Sequence, residues 1–152
     1  VKWSNDVLLG DGLKVAGTLI ENCRVNDQNW WLVGIGVNVD SYPLQLPTGQ
    51  GDFCPKPRSA MCLRAYANKL DSLQALDLGV DLSSGLQQWT NRVQMEEASP
   101  IVTRWKTWAN MGTYTIRETG EDVVAVDLRP DGQLIVIGQD GKERLLVADY
   151  FY

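Results

Sequence analysis

The tightest limit on this fold is set between Trp30 and Val39, where Trp31, Val33, Ile35, Val37 and Val39 alternate with Leu32, Gly34, Gly36 and Asn38. Alternation with a period of two is the spacing of a β-strand, whose successive side chains point to opposite faces. The segment is therefore predicted to be a strand with one bulky apolar face and one nearly bare face. Glycine weakens a strand interior, and it stands where a bulge forms or where another group must approach the backbone closely. Either a neighbouring element packs on Gly34 and Gly36, or a ligand lies over them with Asn38 at its edge.

The same period runs upstream. Asp6–Leu9, a turn at Gly10-Asp11-Gly12, Leu13–Val25, a polar turn at Asn26-Asp27-Gln28-Asn29, and Trp30–Val39 read as a meander of adjacent strands. Strict alternation in the second run puts Leu13, Val15, Gly17 and Leu19 on one face and Lys14, Ala16, Thr18 and Ile20 on the other.

From Asp40 to Lys56 the composition turns to Ser, Pro, Gly, Gln and Asp, and Pro43, Pro47, Pro55 and Pro57 exclude a continuous helix or central strand, so a surface loop is predicted. Ser59 can cap a helix with the stripe Leu63, Tyr66, Leu70 and Leu73. Ser83 or Ser84 can cap a second with Leu86, Trp89 and Val93, and Pro100 interrupts before Ile101, Trp105 and Trp108. These stripes read as core. The last segment returns to β-rich runs at 113–118, 122–128, 133–137 and 143–147, separated by turns at Thr119-Gly120, Pro130-Asp131-Gly132 and Gln139-Asp140-Gly141. Such spacing suggests a small antiparallel barrel or curled sheet docked on the rest, with a boundary near Asn110.

Composition narrows function. The 152 residues contain no histidine, which removes Ser-His-Asp and Cys-His mechanisms and every imidazole-ligated zinc site. A net charge of −5 without a Lys/Arg run argues against binding nucleic acid through its backbone. Cys23, Cys54 and Cys62 have no C-x-x-C spacing and suggest neither a disulfide framework nor a metal site. No apolar run approaches the roughly 18 residues of a membrane span, and the first residues lack the layout of a signal peptide, so the chain reads as cytoplasmic.

Gly34-Ile35-Gly36 is not a dinucleotide fingerprint, because Val39 stands where the third glycine belongs and no helix pattern follows directly. Asp71/Asp77 and Glu96/Glu97 sit on or beside helical patterns and read as solvated faces rather than catalytic pairs. What remains is Lys2, Asn5, Asp6, Lys14 and Asn38, polar residues that lie side by side if the three strands pair.

Lys2-Trp3-Ser4-Asn5-Asp6, then Lys14-Val15-Ala16-Gly17-Thr18-Leu19-Ile20-Glu21, then Gly34-Ile35-Gly36-Val37-Asn38 resemble the biotin protein ligase family, whose usual forms are K-W-P-N-D, K-x-x-G-x-L-x-E and G-[IA]-G-x-N. Ser4 replaces the usual proline. The resemblance implies an α+β fold, a mixed or antiparallel sheet with packed helices, followed by a small SH3-like β-barrel. Residues 1–110 would be the C-terminal part of the catalytic domain and 111–152 the small domain. In the family, a helix, several strands and an Arg/Gly-rich loop precede K-W-P-N-D, so the chain looks like the C-terminal part of a ligase.

The resemblance further implies that biotin and Mg²⁺-ATP form biotinyl-5'-AMP, and that biotin passes to a lysine of a biotin carboxyl carrier domain. Lys14 would bridge the biotin carboxylate and the α-phosphate. Asp6 and Asn5 would position phosphate, Mg²⁺ or Lys14, and Asp6 could orient the acceptor amine. Gly17 would border the biotin floor, Asn38 would bond the adenine edge above Gly34 and Gly36, and Lys2 is a weaker phosphate candidate. Trp3 is core or site. No residue is assigned as a protein ligand to a metal, and a dimer or a complementing N-terminal chain would complete the site. Two other readings stand beside this one: a non-catalytic half that docks the carrier, and a lipoate-attaching relative.

Overall fold

The computed structural model describes residues 1–10, 12–43, 59–66, 74–96, 99–116 and 119–147. Among these, two compact units are distinguished.

The first unit holds β1 (Asp6–Leu9), β2 (Leu13–Val25), β3 (Gln28–Val37) and the short helix α1 (Leu63–Tyr66), with the three strands antiparallel in the order β1-β2-β3. This is the predicted meander. The second connection is tighter than predicted: Gln28 already pairs with Val25, and Asn26 and Asp27 alone make the turn at φ 50° and 62°. Two successive left-handed residues are the signature of a hairpin turn whose twist matches the flanking strands, and Asn and Asp tolerate that conformation. Gly10 and Gly12, at φ 52° and 94°, turn the chain between β1 and β2.

The β1–β2 ladder contains one irregularity. Val7 pairs with Ala16 and Leu8 with Lys14, so Val15 is an extra residue on β2, a β-bulge. Val15 is buried, with Trp3, Ala60 and Cys62.

Residues 59–62 run beside the bulge, Ala60 forming a parallel bridge with Lys14. Ser59 is therefore not a helix cap. Its carbonyl accepts the Lys14 N–H at 3.0 Å, and α1 starts at Leu63, where the Asn38 and Val39 carbonyls accept the Leu63 and Arg64 N–H groups. Leu70 and Leu73, most of the predicted 40–56 loop, and Cys54 lie outside the described residues.

The second unit holds α2 (Ala75–Glu96), α3 (Ser99–Lys106) and an antiparallel sheet in the order β4 (Thr113–Thr115), β5 (Asp122–Leu128), β6 (Leu134–Ile137), β7 (Glu143–Leu146). The four predicted β-runs are all present, in a meander that leaves β4 and β7 unpaired with each other among the described residues, so the sheet is not closed. Its buried face is built from Tyr114, Val123, Ala125, Leu128, Leu134, Val136 and Leu146. The step from Ala125 to Leu128 breaks the period of two because Val126 is a second bulge. Lys106 at the end of α3 pairs with Asp127 of β5 at 2.5 Å.

Two helical expectations need correction. Ser83 and Ser84 lie inside α2, not at its start, and the Ser83 hydroxyl donates back to the Gly79 carbonyl at 2.8 Å, the i−4 bond open to a serine within a helix. Leu86, Trp89, Val93 and Trp108 are exposed rather than core; Trp108 retains 63% of its surface. Pro100 stands in the first turn of α3, where its missing N–H has no intrahelical role to lose. Asp77 is exposed in the first turn of α2, whereas Asp71, Glu97 and the Glu96 side chain lie outside the described residues.

Candidate functional site

The site is built on one row of cross-strand partners. Asp6 of β1 lies opposite Gly17 of β2, and Gly17 lies opposite Gly36 of β3. Directly opposed residues share a face. The next row on that face pairs Leu19 with Gly34. Gly17, Gly34 and Gly36 thus form a bare strip across β2 and β3, beginning at a carboxylate. Among the described residues Gly34 and Gly36 have no packing element on them: an added Cβ would meet only backbone oxygen, at 3.8 and 4.0 Å.

Alternation predicts Lys14 on the face opposite Gly17, and the structure corrects this. A Cβ built on Gly17 would lie 3.1 Å from both Cε and Nζ of Lys14, so the lysine side chain crosses the Gly17 side of the sheet. The cause is the extra residue at Val15, since a bulge shifts the pleat by one and re-aims the side chain beyond it.

The Lys14 ammonium meets Asp6 Oδ1 at 2.5 Å, with the Asp6 side chain 5% exposed and the Lys14 side chain 28% exposed. A buried carboxylate needs a charged or hydrogen-bonding partner, and Lys14 supplies one. The ammonium carries three N–H donors, so a bond to Asp6 leaves capacity for an incoming anion. Asp6 itself is locked in place by the Lys2–Asp6 bridge, whose backbone bonds are 2.8 and 3.1 Å. The segment between contains buried Trp3, which is core, and a cis Trp3–Ser4 peptide.

Around the bare strip opens a concavity of about 670 Å³, lined by polar Asn5, Lys14, Thr18 and Asn38 and otherwise by glycine or apolar residues of β2 and β3. A pocket that is mostly apolar, with a few placed polar groups and a volume of roughly 300–1,000 Å³, suits a small organic ligand. A flat apolar moiety can lie on the glycines while an anionic end reaches Lys14.

Of the sequence-predicted residues, Lys14, Asp6, Gly17, Gly34 and Gly36 come together in this way. Asn5 lines the concavity with its amide donating to the Thr18 carbonyl at 2.7 Å. Asn38 also lines it, and its Nδ2 donates to the carbonyls of Met61, at 3.1 Å, and Lys14, at 3.4 Å. Lys2 is not among the lining residues. Residues 59–62, which carry no site motif, brace the Lys14 backbone from the side, with the Met61 N–H donating to the Lys14 carbonyl at 3.0 Å. The one available signal was the small apolar run Ala60-Met61-Cys62 after the prolines, which is too short to show a period.

Among the described residues no three carboxylate, thiol or imidazole side chains gather to hold a metal ion. Asp6 is already paired with Lys14. A Mg²⁺ ion that enters with ATP takes most of its ligands from phosphate and water and needs no such cluster. No helix among the described residues is long and apolar enough to cross a membrane.

No family model matches the chain. The curated biotin–[acetyl-CoA-carboxylase] ligase of Paracoccus denitrificans is 29% identical over 157 residues, covering 100% of this chain and 62% of the relative. Among solved structures, the biotin protein ligase from Leishmania major in complex with biotinyl-5-AMP matches with a TM-score of 0.54 and 22% identity, over 97% of this chain and 56% of that one. The chain spans about three-fifths of the length of these proteins. Its resemblance to biotin protein ligases thus holds in sequence along its whole length, and in fold.

Proposed function

We propose that this chain is the C-terminal part of a biotin protein ligase, which forms biotinyl-5'-AMP from biotin and ATP and transfers biotin to a lysine of a biotin carboxyl carrier domain. The observation that carries the reading is the Lys14–Asp6 pair at the head of the bare Gly17–Gly36 strip, with Lys14 lining a concavity of about 670 Å³ over that strip. The three motifs of the resemblance converge there. Similarity along the whole chain to a protein named as a biotin ligase supports it.

Both steps gather negative charge on a carboxylate and on phosphate oxygens, so a fixed cation stabilises them more as charge develops than before. Lys14 supplies that cation between the biotin carboxylate and the α-phosphate. Asp6 holds the ammonium in place, a pre-organisation that removes the cost of finding the pose in each turnover, and it can orient the acceptor amine. Gly17, Gly34 and Gly36 admit the ligand's rings, Asn5 borders the phosphate end, and Asn38 offers Oδ1 to the adenine edge because its donors are engaged with backbone. Lys2, which does not line the concavity, is the weaker phosphate candidate. A boundary near residue 110 and an SH3-like nature for 111–152 belong to the same proposal, as do a soluble cytoplasmic setting and a dimer or complementing N-terminal chain.

Native mass spectrometry with a non-hydrolysable biotinyl-adenylate analogue tests this. Ligand on the 16.9 kDa chain, or on a complex containing it, is the expected result. Binding of a lipoyl-adenylate analogue in preference would move the assignment to the lipoate-attaching relatives. Carrier-domain capture with no adenylate bound in any assembly would leave the docking half instead.

A further inference from the structure

Asn38 makes an unusual set of bonds for a pocket residue. Its N–H donates to the Val15 carbonyl at 2.8 Å, and its own carbonyl accepts the Leu63 N–H at 2.9 Å. Its side-chain Nδ2 donates to Met61 at 3.1 Å and to Lys14 at 3.4 Å. Two carbonyl oxygens from separate segments therefore converge on one NH₂ group, the shorter bond being the stronger. The Lys14 carbonyl also accepts the Met61 N–H at 3.0 Å, so loss of the Asn38 donor falls mainly on the Met61 carbonyl, in a part-buried place where a lost hydrogen bond is costly.

The two β2 residues that Asn38 touches are Lys14 and Val15, between which the pleat changes phase. We propose that Asn38 is a positioning residue for Lys14: by pinning the bulge against residues 59–61 it keeps the ammonium over Gly17 and against Asp6. This deepens the ligase reading and rests on it only for what Lys14 acts upon. The adenine contact uses Oδ1, whereas the positioning role uses Nδ2, so the two are separable.

The test is competitive acetylation of the 152-residue chain with acetic anhydride, read by peptide mass spectrometry as the labelling of Lys14 relative to Lys106 and Lys142, in wild type, Asn38→Ala, Asn38→Asp and Asp6→Asn. An amine held as an ammonium against a carboxylate reacts slowly, and Asp6→Asn sets the rate for release. Asn38→Asp keeps shape and an acceptor oxygen but loses the donor; Asn38→Ala loses the donor without placing an acceptor against the two carbonyls, and it carries the test where the aspartate variant does not fold. The expected result is a rise of about tenfold in relative Lys14 labelling, the order for loss of one charge-assisted hydrogen bond. Lys106 is itself paired with Asp127 in the second unit, so loosening of the whole chain would raise both rates, and loosening of the first unit alone is read from amide hydrogen exchange of β2 and β3 in the same variants. An unchanged ratio in a variant that still melts cooperatively would overturn the proposal. Protection of wild-type Lys14 by biotinyl-5'-AMP is read separately, on the chain and on any complex containing it: its absence in both, together with faster labelling in the variants, would remove the ligase reading and leave the positioning role standing.

Discussion

Gly17 and Gly36 face each other across the β2–β3 ladder, and among the described residues nothing on that face rises between them and the Lys14–Asp6 pair. The absence of two side chains is what gives the concavity its floor.

Gly36→Ala should therefore separate stability from binding. Among the described residues the added methyl meets nothing nearer than the Gly17 carbonyl oxygen at 4.0 Å, and replacing glycine within a strand gains about 0.5–1 kcal/mol. The thermal midpoint should hold or rise slightly. Binding of a biotinyl-adenylate analogue should weaken by about tenfold or more, the scale of a methyl forced into an occupied contact. Titration calorimetry beside a melting curve reads both, and unchanged affinity would mean that the ligand does not lie on this strip.

On the proposed reading, Lys14→Ala should abolish detectable adenylate formation in the reassembled enzyme. Removal of one pre-organised electrostatic contact lowers turnover by about a hundredfold or more. Pyrophosphate release from ATP and biotin is the assay, with circular dichroism to show that the sheet is intact. Release at a rate near wild type would sink the role given to this lysine.

Acid should weaken the α3–β5 tie. The Lys106 side chain, and then the Leu128 N–H, hold the Asp127 carboxyl below its ordinary range. A depressed carboxyl contributes stability that is present above its unfolded pKa and lost as pH falls through its folded pKa. Because both partners are well exposed, the effect is less than about 1 kcal/mol. The gap in melting temperature between wild type and Asp127→Asn should thus be largest near neutrality and shrink below the usual carboxylate range. A gap that widened on acidification would contradict this.

Gly138→Ala should destabilise the second unit. A Cβ there would overlap the Arg144 guanidinium and come within 2.7 Å of Glu121 Oε1. Arg144 would have to leave Glu121, now 3.2 Å away, and with it the Asp140 contact at 3.0 Å. A loss of less than about 1 kcal/mol is expected, because the displaced groups are the ends of flexible, part-exposed side chains. Urea melts of Gly138→Ala and Gly138→Ala/Arg144→Ala should show the second change recovering part of the first, and the lack of any recovery would argue against this clash as the cause.

The β-elements were legible because their signal is local. Alternation and turn residues located Asp6–Leu9 and Leu13–Val25 at their observed ends, and the four later strands within a residue or a few. Helix starts were read less well, since a serine that can cap can also bond back within a helix, as Ser83 does. The apolar stripe on α2 marked a helix, yet Leu86, Trp89 and Val93 remain exposed, because periodicity reports a face and not what covers it. Within the site, the motif residues were found from resemblance and the bare strip from alternation. The side to which Lys14 turns, the bracing by residues 59–62 and the bonds of Asn38 were not legible, because each depends on pairing between distant segments.

The bulge at Val15 also gives a reason for the number of residues between the lysine and the glycine. In an unbroken strand two positions reach the same side only when an even number of steps separates them, yet Lys14 and Gly17 are three steps apart and meet. An odd count with a shared destination is thus the arithmetic mark of one inserted residue. Deleting Val15 would make the count even and the strand unbroken at once, so the cation would stay on the Gly17 side and what is lost is the buried Val15 side chain.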